Sequence, residues 1–216
     1  MEREQQTEKP SASTKDGSME EKIRAAAERL FLEKGFALTS TTEIAKEAGC
    51  NQALVHYYFR TKDQLFDILF EEKAKLFFSS ILEISDEDIP FMEKLRRKIS
   101  AHYDLILENP RLPFLIFNEL LTNANRLESI KSVIAPVITK VFAQFETELA
   151  TEIEKGTIRQ IRPYDLIQTI VSLNVFPFLM LPIAKQVLGF DEETARNILQ
   201  RRKEENIRLI LLELEP

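Results

Sequence analysis

Little in this chain suits a disulfide framework, a β-sheet or a bound metal. A single cysteine, Cys50, stands among 216 residues. It excludes an internal disulfide and fits a reducing compartment. Glycine occurs five times and tryptophan not at all. With few stretches of alternating polarity, so little glycine argues for helices rather than strands and hairpins. The two histidines, His56 and His102, and the lone cysteine give no metal-ligand spacing. The Glu-x-x-His pair of di-iron bundles is missing too, because Ile99 stands three residues before His102. H-E-x-x-H, the P-loop, G-x-G-x-x-G and G-x-S-x-G are all absent. No enzyme activity, metal or cofactor is therefore expected. We find no apolar run of the roughly 18–20 residues a membrane helix needs, and no apolar signal core at the N-terminus. A cytoplasmic protein with no membrane contact is expected.

What is present is apolar and helical in pattern. Hydrophobic residues make up 44% of the chain, including 15 phenylalanines, enough for one large core or two modest ones. The formal net charge is -6. That excludes a broad basic footprint for nucleic acid and leaves room only for a local one.

Taken in order, residues 1–17 lack large apolar residues after Met1 and read as a disordered tail. Ser18 and Glu21 form a capping-box pattern at the start of a helix, whose buried face is Ile23, Ala26, Ala27, Leu30 and Phe31. Gly35 stops it, and Phe36 is expected to plug a small three-helix core. From Pro90 the segments become longer and more apolar. Helices are expected over residues 91–108, 112–123, 129–155 and 164–188, and from Asp191 onward. Pro136 lies inside one of them, and Pro177 and Pro182 should bend or interrupt another. A helix that is apolar all round must be covered all round, so segment 164–188 and the last helix are expected to form a homodimer interface. The fold class expected is all-α. It comprises a small helical domain over 18–64 and a larger, dimer-forming helical domain over 65–216.

The stretch from 40 to 62, STTEIAKEAGCNQALVHYYFRTK, carries the function. Ser40 and Glu43 form a second capping box, Gly49 supplies a left-handed stop, and Asn51 caps the next helix. Thr61 and Gln64 open a third. Two helices around a tight glycine-containing turn are the layout of a DNA-reading helix-turn-helix. Between Gly49 and Lys62 there is no acidic residue, while Arg60 and Lys62 are basic. Thr41 and Thr42 sit at a helix start that favours phosphate. Gln52 has the geometry to pair with adenine, and Ala53 and Leu54 to meet a thymine methyl. His56, Tyr57 and Lys62 are expected to reach the DNA backbone. The bland alternative places Gln52 in solvent and the tyrosines in the core.

Segment 23–70, with AAAERLFLEKGFALTSTTEIAKEAG followed by ALVHYYFRTKDQLF, resembles the DNA-binding domain of TetR-family transcriptional regulators. The aromatic residues Tyr57, Tyr58 and Phe59 ahead of Lys62 carry the resemblance. It implies a homodimer joined by the last two helices, bound to a palindromic DNA operator as a repressor and released by a small ligand. It also implies phosphate contacts at Ser40, Thr41 and Thr42 and a recognition helix from Asn51 to Tyr57. Thr42 stands where the family often has a basic residue, and His56 where it often has tyrosine.

Phe114, Phe117, Phe142, Phe145, Phe176, Phe178 and Met180 suggest an apolar effector pocket in the C-terminal domain. The competing reading makes the chain an all-helical small-molecule-binding protein or enzyme with no role on DNA.

Overall fold

A computed structural model describes residues 13–216, with side chains from residue 19 onward except 129–130 and 133–134. Most of the expected tail, residues 1–12, lies outside the described residues. The described chain contains nine helices and no strands: α1 (Ser13–Lys34), α2 (Thr41–Ala48), α3 (Gln52–Phe59), α4 (Lys62–Asp86), α5 (Phe91–Glu108), α6 (Leu112–Thr122), α7 (Ala124–Glu154), α8 (Pro163–Leu188) and α9 (Glu192–Glu213). They fall into two compact units, one running to Leu69 and the other Phe70–Pro216. The boundary sits within α4, five residues beyond the one read from the sequence.

The first unit is built around the expected stripe of α1. Ile23, Ala26, Ala27, Leu30 and Phe31 are all buried, with Ile44, Ala45 and Ala48 of α2 and Val55 and Phe59 of α3. Phe36 does plug this core. Its ring lies 5.6 Å from that of Phe31 and 5.2 Å from that of Phe66. One expectation shifts. Helix α1 begins at Ser13, ahead of Ser18. On α4 the buried face near the start is Leu65, Phe66 and Leu69, whereas Ile68 and Leu76 are exposed. Phe66 packs edge-on against both Phe31 and Phe36.

In the second unit one core joins Phe91, Leu95 and Ile99 of α5, Phe145 and Leu149 of α7, Leu166 of α8 and Ile207 and Ile210 of α9. Another gathers Tyr103, Ile106, Val175, Phe178 and Leu199. Helix α7 starts five residues ahead of its expected beginning at Ser129, because Asn123 caps it by accepting a hydrogen bond from the Arg126 amide at 3.2 Å. Pro136 lies inside α7, and Pro177 and Pro182 lie inside an α8 that runs without interruption.

Helix α8 corrects another reading. It is long and apolar enough, by length and composition, to cross a membrane, with only 22% of its most apolar window buried within the chain. Its buried face nevertheless carries a polar group. Asn174, fully buried, donates to the Ile99 carbonyl at 3.0 Å and accepts from Asn206 at 3.1 Å. That face belongs to a protein core; the opposite face is apolar and uncovered.

Candidate functional site

Local chemistry fixes the α2–turn–α3 segment. The Ser40 hydroxyl accepts from the Glu43 amide at 3.2 Å, and the Glu43 carboxylate accepts from the Ser40 amide at 3.0 Å, which completes the capping box. Gly49 ends α2 at φ 71°, a conformation that a Cβ would strain. Asn51 then caps α3 by accepting from the Leu54 amide at 2.9 Å. Lys34 adds a 2.7 Å ion pair to Glu43. With the Lys34 and Ser40 hydrogen bonds, it holds the carboxyl at about 2, well below the ordinary range.

Residues Gln52, Ala53, His56, Tyr57 and Arg60 are all exposed. Steps of one, three and one put Gln52, Ala53, His56 and Tyr57 on one face of α3, and Arg60 follows as its C-cap. Tyr57 is 76% exposed, so the reading that made it core is set aside. Leu54 is half-buried and turns away from this face. Arg60, which the sequence marks only as a basic residue, ends the stripe. It carries the one positive φ, 51°, of any non-glycine among the described residues. The Thr61 amide bonds back to the Phe59 carbonyl across it, making a γ-turn.

The structure brings four of the expected site residues into one network. Gln52 Nε2 donates to Thr41 Oγ1 at 2.9 Å and lies 3.3 Å from His56 Nε2. Thr42 Oγ1 donates to Gln52 Oε1 at 3.2 Å. His56 Nδ1 is 3.0 Å from the Arg60 carbonyl oxygen.

Three other expected contacts are engaged elsewhere. Ser40 spends its amide and hydroxyl on Glu43, and Asn51 spends its side-chain oxygen on capping. Lys62 donates to the carbonyls of Phe36 and Thr39 and sits over the Phe36 ring. No local signal marks these last partners, which are more than twenty residues away in sequence.

In the second unit, an open apolar groove of about 900 Å³ is lined by Phe117, Phe176 and Met180, with Val175, Phe190 and Ile198 among others. The remaining residues expected there lie elsewhere. Phe145 and Phe178 are buried in the two cores, because α5, α8 and α9 enclose them. Phe114 is exposed and Phe142 half-buried, and neither lines the groove. His102 is held as expected of a satisfied side chain: its Nδ1 accepts from Asn174 at 3.2 Å, and burial pushes its pKa down to about 4. Among the described residues no cluster of His, Cys, Asp and Glu could hold a metal ion.

An α-helical chain with a capped helix-turn-helix at its head and a larger helical body behind it defines a DNA-binding transcriptional regulator. Comparison with known proteins gives the family. Residues 23–69 match the bacterial regulatory proteins of the tetR family, and residues 92–210 match the tetracyclin repressor-like C-terminal domain. The chain belongs to the tetR family. It is 24% identical to the HTH-type transcriptional regulator YhgD of Bacillus subtilis over 82% of this chain and 91% of that one. It is 27% identical to the fatty acid metabolism regulator protein of the same organism, over 62% of this chain and 68% of that one. Its fold is similar to that of HlyIIR, a hemolysin II transcriptional regulator. There the TM-score is 0.63 and the identity 25%, over 94% of this chain and 99% of that one.

Proposed function

We propose that this regulator is a repressor that binds a palindromic operator as a homodimer and is released by a small apolar effector. The observation that carries the reading is the outward face of α3: Gln52, Ala53, His56 and Tyr57 are exposed on a helix free of acidic residues, with Arg60 exposed at its C-cap, within a chain of net charge -6. The amides of Thr41 and Thr42 and the Thr41 hydroxyl, at the start of α2, add phosphate donors. Two copies are needed because Phe176, Met180, Ile183 and Val187 recur at steps of four, three and four along α8. All are exposed, by 61%, 40%, 55% and 75%. This stripe is what a second copy covers.

The effector reading rests on the same wall. Phe176 and Met180 belong both to the stripe and to the apolar groove. Effector and partner subunit thus share side chains, and occupancy of the groove changes how the copies pack. An effector shifts the DNA-binding state only by its differential affinity for the two arrangements.

Duplex binding against salt is the test. The affinity of the full chain should fall linearly in log–log form as counterions are released, and Arg60→Ala should reduce the slope by about one. A flat response would refute the reading.

A further inference from the structure

We propose that His56 is a positioning residue that sets the amide orientation of Gln52, and thereby which hydrogen-bonding group the recognition helix offers to a base edge. The inference rests on the DNA-binding role proposed above. It follows from four contacts read together.

The Arg60 carbonyl oxygen only accepts hydrogen bonds. With His56 Nδ1 3.0 Å away, the imidazole must carry its proton on Nδ1. In the neutral ring Nε2 is then a bare acceptor. Gln52 Nε2, 3.3 Å from it, donates one N–H to His56 and the other to Thr41 Oγ1 at 2.9 Å. Gln52 Oε1 accepts from Thr42 at 3.2 Å. Both amide hydrogens are spent, and what Gln52 has left to offer outward is the second lone pair of Oε1. Its free group is an acceptor, suited to the amino group of adenine or cytosine. One backbone carbonyl, held in place by the γ-turn at Arg60, thus fixes the tautomer of His56 and through it the orientation of Gln52.

A second arrangement is equally well satisfied. When His56 is protonated, Nε2 becomes a donor and opposes the Gln52 NH₂. Rotating the amide by half a turn lets Oε1 accept from His56 and from the Thr41 hydroxyl, while Nε2 donates to Thr42 Oγ1. Threonine hydroxyls donate or accept equally well, so this rotation costs no hydrogen bond. The group left over is now an N–H donor, suited to N7 or O6 of guanine. Four side chains thereby form a two-state element biased by one proton.

The carboxylates of α2 beside the network are paired elsewhere. On α2, Glu43 is held by Lys34 and Ser40, and Glu47 pairs with Arg29 of α1. Lys46 on α2 and Arg60 after α3 are exposed, and Asp63 lies in the first turn of α4. None of these side chains contacts the imidazole among the interactions described.

Two measurements on the full chain decide the matter. Nitrogen-15 NMR of the imidazoles at about pH 8 should show His56 as the Nδ1–H tautomer; the Nε2–H form would overturn the proposal without reference to DNA. Selection from a pool of random duplexes at about pH 8 and about pH 5.5 should shift the preferred base at one symmetric pair of positions. The shift expected is about tenfold, toward guanine on the acid side. His56→Phe should lose the shift. A pH-independent preference in the native chain, or a shift that persists in His56→Phe, would overturn the inference. If no duplex is enriched and binding does not respond to salt, the DNA-binding role itself falls, and the base-reading role of Gln52 with it.

Discussion

The Lys62 ammonium donates to the carbonyl oxygens of Phe36 and Thr39 at 2.9 and 2.8 Å, and lies 4.2 Å from the centroid of the Phe36 ring. It ties the start of α4 to the loop between α1 and α2, the loop that places the N-terminus of α2. Lys62→Met keeps the stem and removes the charge, leaving two carbonyls without that donor. Losing such charge-assisted hydrogen bonds costs about 2–4 kcal/mol. Thermal unfolding followed by circular dichroism should show the loss, and Lys62→Arg should not restore it, because a planar fork does not converge on two carbonyls below a ring. An unchanged melting temperature with weakened DNA binding would return Lys62 to the phosphate-contact role read from the sequence.

His102 gives the second unit a pH dependence of definite sign. Its folded pKa, about 4, lies below the unfolded value of 6.5, because burial disfavours the charged ring. The unfolded chain therefore takes up the proton first, and stability falls as pH drops from about 6.5 to about 4. The gap corresponds to about 3 kcal/mol at most. Urea unfolding of the native chain should lose stability across that window, and His102→Gln should flatten it. A native curve flat from pH 7 to 4 would mean that the imidazole is solvated.

Glu43 acts in a lower window. The Lys34 ion pair and the Ser40 hydrogen bonds depress its pKa from 4.5 to about 2. The stability it contributes is full above about 4.5 and lost as pH falls through 2. Protection of the Ser40 amide, its exchange rate relative to the intrinsic rate at the same pH, should be lost between pH 4.5 and 2 in the native chain. In Glu43→Ala, which has no side-chain acceptor, that protection should already be lost at neutral pH. Equal rates in the two proteins would remove Glu43 from the capping role.

Much of the first unit was legible in the sequence, because its signals are local. The α1 stripe, the Ser40–Glu43 box, the glycine stop and the Asn51 cap all act within four or five residues, and all appear as expected. The role of Lys62 was not legible. Its partners lie 23 and 26 residues away, and a lysine beside a recognition helix has the same local appearance whether it binds phosphate or a carbonyl. The phenylalanines of the second unit fail for a related reason. Composition counts them, but neighbouring helices decide whether each becomes core, like Phe145, or groove wall, like Phe117 and Phe176. The amide network at Gln52 was half legible. The residue types of Thr41, Thr42, Gln52 and His56 each suit a DNA contact, but their mutual hydrogen bonds depend on how α2 crosses α3.

The stripe on α8 makes the remaining prediction. Phe176, Met180, Ile183 and Val187 form an exposed apolar row in the isolated chain, and a row of this kind is covered in the working protein. A second copy is the cover proposed here. A carboxylate placed in the middle of a symmetric interface meets its own image across the axis, so one substitution introduces two buried like charges. Met180→Glu should therefore convert a dimer into a monomer in analytical ultracentrifugation, while the helical circular dichroism stays intact. A monomer holds one recognition helix, so its affinity for a duplex with two half-sites should drop to that for a single half-site, a loss of a hundredfold or more by the usual gain from bivalent attachment, roughly 10²–10⁴. If the native chain is already monomeric and instead partitions onto uncharged lipid vesicles, the row faces a bilayer. The length and apolar composition of α8 permit that outcome, and it would overturn the dimer. If the native chain is a dimer and Met180→Glu leaves it one, the interface lies on another face and the α8 row is not its centre.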